Sequence, residues 1–393
     1  MQRDAGAHKE MRVRTLMKVV NAIREGAYSK FQIQENTGLS WGSCSEIISL
    51  LSREDLISVR KTMSQHDSRP GRKASGYEFS TMKFLLAGME LKARSIDCSL
   101  VNLGGTELNR KEYSLPDKPT NENIFKQIST VYINFLVDSG VKPHALLGLS
   151  LSLTGAVDPV KKRLIFSPRY DSLKEMDFSM LQELLPHIEY FCVDHDIHAQ
   201  SSSVMDKNGW KEANYAFVHC GEGVGMGFYN KEIYTGSRGF AGEIGHVPYH
   251  GLKENRICPC GKMNCYETVL SNKGIKDLIM EIYGIVSVSM GDLDKSVLTD
   301  PTLNGIIADA ISEMLILISN MLDPGLIVIG GEAIDPFIPE IKHKVERSLR
   351  DKAWQGGAEM VKWFHPADIN CAYGTIINAT PVMIEQYLRE KLV

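Results

Sequence analysis

Between His246 and Cys265 the chain sets one imidazole and three thiols within twenty residues, in the order H-x11-C-x-C-x4-C. One nitrogen and three sulfurs in this ratio suit a tetrahedral zinc ion. Four protein ligands leave no open position for water, so the expected role of such an ion is structural rather than catalytic. Pro259 and Gly261 provide the tight turn needed to aim Cys258, Cys260 and Cys265 at the point that His246 faces. The competing reading is three buried thiols that hold nothing. The compartment favours the metal. The first thirty residues carry Arg3, Asp4, Lys9, Glu10, Arg12 and Arg14 and no apolar stretch of secretory type, and no apolar run is expected to span a bilayer. A cytoplasmic protein is expected, in which clustered cysteines serve as ligands sooner than as bridges. Cys44, Cys98, Cys192, Cys220 and Cys371 are scattered and read as small buried hydrophobes.

A chain of 393 residues exceeds what one hydrophobic core usually supports, so two or three domains are expected. Charge divides them. Residues 1–80 hold 13 Lys and Arg against 9 Asp and Glu, whereas the whole chain has 44 against 48. A basic front on an acidic body points to a polyanion partner for the front. Within it, Val13, Leu16, Val20 and Ile23 recur at helical spacing, and Ser29-x-x-Gln32 has the form of a capping box opening a second helix. Thr37-Gly38-Leu39 reads as a turn, Ser40 as the cap of a third helix, and Leu56–Arg60 and Gly76–Phe79 as two strands. Three helices and a hairpin describe a winged helix-turn-helix whose third helix enters a DNA major groove. Ser40, Trp41, Gly42, Ser43 and Ser45 would then meet base edges, and Arg69, Arg72 and Lys73 on the wing would meet phosphates or the minor groove. A three-helix cap used only for dimer contact is the alternative.

From Phe84 onward, strands alternate with helices: Phe84–Leu91, Ile96–Leu103, Glu107–Tyr113, a helix over Asn123–Asp138, then Leu146–Leu153 and Tyr190–Val193. The pattern restarts at Tyr215–Cys220 and continues through "GVGMGFYNKEIYTG", a helix over Ala308–Leu322, strand Leu326–Ile329 and a last helix over Pro381–Lys391. Such alternation and restart predict a three-layer α/β body of two related lobes. The expected domains are 1–80, 83–195 completed by the helix at 380–393, and 196–379.

"GFAGEIGH" (Gly239–His246) followed by "CPCGKMNCYE" (Cys258–Glu267) resembles the zinc segment of the ROK family (repressor, open reading frame, kinase). "LTGAVDP", "VDHDIH", "GEGVGMG" and "VIGG" fall in the family's order, and a winged helix-turn-helix ending in "GRK" is the layout of its repressor branch, which includes xylose-operon and N-acetylglucosamine regulators. The resemblance implies an actin/hexokinase-like two-lobed fold, structural Zn2+, and a sugar or sugar phosphate in the interlobe cleft. It implies that Asp196 matches the kinases' general base and that Glu243, His246 and Glu267 are sugar contacts. His195 stands where the kinases have an asparagine.

Phosphoryl transfer needs glycine-lined amides close to phosphate. The resemblance places such a turn at Glu90-Leu91-Lys92-Ala93-Arg94, which has no glycine, and at Gly221-Glu222-Gly223, where a carboxylate replaces a threonine. "LGGTEL" at Leu103–Leu108 reads as a tight turn instead. The expectation is a non-catalytic, sugar-responsive repressor that binds a double-stranded operator as a homodimer or dimer of dimers. The alternatives are a sugar kinase with an appended DNA-binding domain, and a regulator with no small-molecule effector.

Overall fold

The computed structural model describes residues 2–60, 76–80, 83–167, 170, 172–185, 187–237, 240–252, 254–286, 293–354 and 357–393. Contacts divide the chain into two compact units, Met1–Ala199 with Cys371–Val393, and Gln200–Asn370.

The first unit opens with α1 (Gln2–Arg24), α2 (Lys30–Thr37), α3 (Trp41–Arg53), and the antiparallel pair β1 (Ile57–Arg60) and β2 (Gly76–Phe79). The predicted capping box is present at Ser29 and Gln32, Gly38 closes α2 in the left-handed conformation, and the Ser40 side chain caps α3. Arg69, Arg72 and Lys73 lie outside the described residues.

Then come β3 (Leu85–Leu91), β4 (Ser95–Val101), β5 (Glu107–Ser114), α4 (Ile124–Asp138), β6 (Leu146–Leu153), β7 (Ala156–Asp158), β8 (Arg163–Phe166), β9 (Lys174–Asp177), α5 (Met180–Leu184), β10 (Tyr190–His195) and α6 (Asp196–Lys207). The main sheet has the order β10-β6-β3-β4-β5, with β10 and β3 parallel to β6 and a β3-β4-β5 meander. All eight residues of β6 are buried, as a strand covered on both faces requires. A small sheet, β7-β8-β9, was not anticipated; its strands are three or four residues long, too short for alternation to register.

In the second unit β11 (Asn214–Cys220), β12 (Val224–Asn230) and β13 (Glu232–Ile233) lead into the cysteine segment, followed by α7 (Glu267–Leu270), α8 (Asn272–Tyr283), α9 (Lys295–Leu298), α10 (Pro301–Leu322), β14 (Leu326–Gly330), α11 (Ile338–Lys352) and β15 (Val361–Phe364). Its sheet runs β13-β12-β11-β14-β15. Helix α10 starts earlier than the expected Ala308, because Asp300 caps it and Pro301 occupies its first turn, where a missing N–H costs nothing. It is also long and apolar enough to cross a membrane by length and composition, contrary to the expectation that no run is. Leu303, Ile307, Ile311, Met314, Leu315 and Ile318 bury that apolar content in the core of this unit.

The chain returns to the first unit as α12 (Cys371–Lys391), ten residues longer at its start than the expected helix from Pro381. Pro381 read as a helix start, but it lies inside the helix, where it removes one backbone hydrogen bond. Helix α12 joins two packing groups. Ile376, Met383, Ile384 and Leu388 share one buried cluster with Leu86 and Leu147 of the sheet and with Leu16, Val20, Ile33, Ile48 and Leu51 of the winged helix. The three N-terminal helices therefore have no separate core. Arg389 pairs with Glu10 at 2.6 Å, and the rings of Tyr387 and Phe84 meet edge to face at 5.1 Å.

Close approach of α12 to the sheet depends on Gly88 of β3: a Cβ there would sit 1.8 Å from the Ala372 carbonyl oxygen. Gly88→Ala is expected to force that helix outward and to lower stability by about 1–3 kcal/mol, as overpacked cores do. Urea unfolding measures this, and a midpoint unchanged from the parent would refute the close-packing account.

Candidate functional site

Two groups of side chains collect the residues singled out in the sequence, one in each unit. In the second unit the segment after β12 is held against that strand. Gly242 has φ +94°, and a Cβ on it would lie 1.8 Å from the Met226 carbonyl oxygen. The Met226 amide donates to the Gly242 carbonyl at 3.0 Å, and a short 3-10 turn then delivers His246. The cysteines fold back through paired bridges, Pro248 with Cys265 and Ile257 with Met263. Gly261, at φ +85°, donates to the Cys258 carbonyl and closes the expected turn. Arg256 braces the base of the knot by donating to the carbonyls of Thr268 and Gly274.

His246, Cys258, Cys260 and Cys265 come together as predicted, with their ligand atoms all within 4.8 Å of one another. Cys260 Sγ lies 3.7 Å from Cys265 Sγ, and Cys258 Sγ lies 3.6 Å from His246 Nδ1. With metal–sulfur bonds of about 2.3 Å and a metal–nitrogen bond of about 2.0 Å, a tetrahedron has S···S edges of about 3.8 Å and S···N edges of about 3.5 Å. The spacings fit. Burial pushes the Cys258 thiol up to about 12 and the Cys265 thiol also up. At exposed Cys260 the amide of Lys262 and the neighbouring thiols outweigh desolvation and bring it down. Three thiolates are reached together only against a cation that displaces the protons.

Around the knot stand the predicted carboxylates. Glu243 Oε2 is 3.7 Å from His246 Nε2, on the side of the ring away from the thiols. Glu267, the first residue of α7, accepts from the Val224 amide at 3.4 Å and faces Cys258 Sγ at 3.9 Å. The turn Gly221-Glu222-Gly223 lies between β11 and β12, and two of its amides are spoken for. Gly221 donates to the Gly223 carbonyl at 2.8 Å, and Glu222 donates to Glu332 Oε1 at 3.2 Å. Glu332 also receives His219 Nε2 at 3.0 Å. Burial pushes the Glu332 carboxyl up, but the His219 contact and the Glu222 amide hold it below the usual carboxylate range. Sequence reasoning missed this pair. A histidine at a strand end and an acid after Gly330-Gly331 offer no spacing signal linking positions over a hundred residues apart.

In the first unit Asp196 starts α6 at the end of β10. Thr154 Oγ1 donates to its Oδ2 at 2.6 Å, and His195 Nδ1 lies 2.9 Å from its Oδ1. The Ile197 amide also donates to that nitrogen at 3.1 Å. Next to it, Asp194 accepts from Asn378 Nδ2 of α12 at 2.6 Å and faces His198 Nδ1 at 3.2 Å. Thr154 and Asn378 were not singled out from the sequence; only the "LTG" ending a buried strand hinted at the first.

Strand pairing sets Asp97, Glu90, Ser152 and Asp194 side by side across the sheet. Lys92 lies within 4 Å of Glu90, Asp97 and Glu112. Its amide closes the tight β3–β4 turn by donating to Ser95. "LGGTEL" forms the expected tight turn, with Gly105 at φ +83°.

Of the residues predicted to read DNA, Trp41 is 53% exposed at the start of α3, with Lys30 Nζ 4.0 Å above its ring. Gly42 is open. The hydroxyls are partly occupied: Ser40 Oγ accepts from the Ser43 amide and contacts Ser43 Oγ, and Ser45 Oγ donates to the Trp41 carbonyl.

Known proteins resemble this chain in sequence and in fold. The ROK family model matches residues 86–377. The Escherichia coli DNA-binding transcriptional dual regulator NagC is 26% identical over 261 residues, covering 65% of this chain and 62% of that regulator's length. A Bacillus spizizenii xylose repressor is 25% identical over 274 residues, covering 68% and 67%. A solved ROK family transcriptional regulator, a homologue of the E. coli MLC protein, superposes with a TM-score of 0.77 at 18% identity over 95% of this chain and 99% of its own. A ROK hexokinase from Thermus thermophilus does so with 0.58 at 16% identity over 75% and 100%. Its family match, spanning most of the chain and both sheets, makes this protein a member of the ROK family.

Proposed function

We propose that this chain is a sugar-responsive transcriptional regulator of carbohydrate genes, acting as a repressor in the cytoplasm and binding a roughly palindromic operator as a dimer. One observation carries the reading: α12 ties the winged helix to the residues beside Asp196. Its later turns share a core with α1, α2 and α3, and its middle holds Asp194 through Asn378. The printed roles of the similar sequences, a dual regulator and a xylose repressor, agree with it.

In this reading Trp41 and Gly42 approach base edges, Ser40, Ser43 and Ser45 shape the start of the recognition helix, and Arg69, Arg72 and Lys73 add phosphate contacts. Asp196, with His195 beside it, accepts from effector hydroxyls, as do Glu243 and Glu267. His246, Cys258, Cys260 and Cys265 hold one structural zinc. Metal on Nδ1 of His246 leaves the proton on Nε2, a donor for a sugar oxygen. Moving the DNA-binding state from 1:99 to 99:1 asks the effector for about 5.5 kcal/mol of preference between two arrangements. Breaking or remaking the Asp194–Asn378 contact supplies one component.

Kinase activity is absent in this proposal. The turn at Lys92 spends its amide on Ser95 and its ammonium on three carboxylates, and the Glu222 amide already has an anion in Glu332. Neither can cradle a triphosphate without dismantling internal pairs.

Three measurements test the proposal. Duplexes selected from a random pool should bind the protein and be released by a sugar. Asn378→Ala should keep operator affinity within a few-fold yet blunt the release, losing a charge-assisted hydrogen bond worth about 1.5–3 kcal/mol; no selectable duplex, or full release from the variant, refutes it. Metal analysis should find one zinc per chain, and chelation should weaken the sugar response, so an undiminished response from zinc-free protein removes the proposed role. A coupled assay over a hexose panel should detect no sugar-dependent ADP release, and turnover would restore the kinase reading.

A further inference from the structure

Resting on the sugar reading above, we infer that the effector is an uncharged sugar and that a phosphorylated sugar is discriminated against. A phosphate monoester carries a charge of about −1.5 to −2 at neutral pH and brings only acceptor oxygens of its own. It needs cations or open N–H donors. A sugar hydroxyl needs the opposite, acceptors with lone pairs to offer.

Lys92 and Arg110, beside the first group, are committed. Lys92 Nζ is shared among Glu90 at 3.9 Å, Asp97 at 3.6 Å and Glu112 at 3.5 Å. Arg110 is drawn to Asp97 at 2.6 Å. Glu90, Asp97 and Glu112, with Asp194 and Asp196 nearby, thus outnumber the cations Lys92 and Arg110 paired with them. Between Glu90 and Asp194 in the strand register lies Ser152, fully buried, with no hydrogen-bond partner for its Oγ. That hydroxyl can both donate to and accept from a sugar hydroxyl.

The second group repeats the pattern with other residues. The Gly221, Glu222 and Val224 amides donate to Gly223, Glu332 and Glu267 respectively. An added Cβ on Gly221 would fall 2.3 Å from Glu332 Oε1, so the space over this turn is held by a carboxylate. Arg256 is spent on two carbonyls and Glu281. Three thiolates around a divalent ion leave a net negative knot beside Glu243 and Glu267. Both groups therefore offer acceptors, and an incoming phosphate would have to displace an internal carboxylate to use Lys92, Arg110 or the amides of Glu222 and Val224.

Calorimetric titration of the zinc-loaded, full-length protein with matched pairs tests this: glucose and glucose 6-phosphate, N-acetylglucosamine and its 6-phosphate. In any pair with binding, the neutral member should bind at least tenfold more tightly, and the gap should narrow as salt screens the repulsion. Glu332→Gln, which leaves all proposed sugar contacts in place, should narrow it as well. A phosphate binding as tightly as its parent, or more so, overturns the inference and leaves the sugar reading standing. Binding by no member of any pair overturns the sugar reading and this inference with it.

Discussion

Helix α12 is the element on which the first unit depends. It covers the sheet face bearing Leu86 and Leu147 and joins that face to the cluster in which α1, α2 and α3 pack on one another. The approach is close, glycine against backbone at Gly88, and packed interiors of this density respond to displacement as units rather than by yielding locally. A shift at Asp194 therefore has a physical route to the winged helix, through a helix whose midpoint is weakened by the hydrogen bond that Pro381 cannot make.

The second unit uses a different device for a similar end. The knot's tip is poor in core: Cys260, Ile257 and Met263 are exposed, while Tyr249 and Tyr266 at its base are buried. His246, Cys258, Cys260 and Cys265 converge there as a group that could hold a metal ion, which would cross-link the exposed tip. Rigidity passes from there to Glu267, which joins the knot to the amide of Val224, and to Glu243 beside the imidazole. Acceptors held in place before a ligand arrives cost less to order when it binds.

Much of this was legible beforehand where the signal is local. Ser29, Gln32, Gly38 and Ser40 mark their helix ends by chemistry that acts within four residues, and each performs that role. The buried strand β6 announced itself by an unbroken apolar run. Illegible were the elements whose causes are distant or brief: the three-stranded sheet at 156–177, the true start of α12, and the membrane-like length of α10. Pro381 misled because a proline opens far more helices than it interrupts, and only packing against β3 and β6 keeps the helix continuous through it.

The amino-acid sequence alone determined the quartet of His246 and three cysteines, the capped helices of the winged domain and the alternation behind the two five-stranded sheets, since each arises from neighbours in the chain. Tertiary structure decided which donors remain to greet a ligand. Lys92 read as a positive charge, but folding surrounds it with Glu90, Asp97 and Glu112. Glu222 read as the obstacle in its turn, yet Glu332, 110 positions away, is the carboxylate that occupies the amide. Charge is a property of a residue, but whether that charge is already neutralised depends on strands meeting across the sheet, which no local pattern encodes.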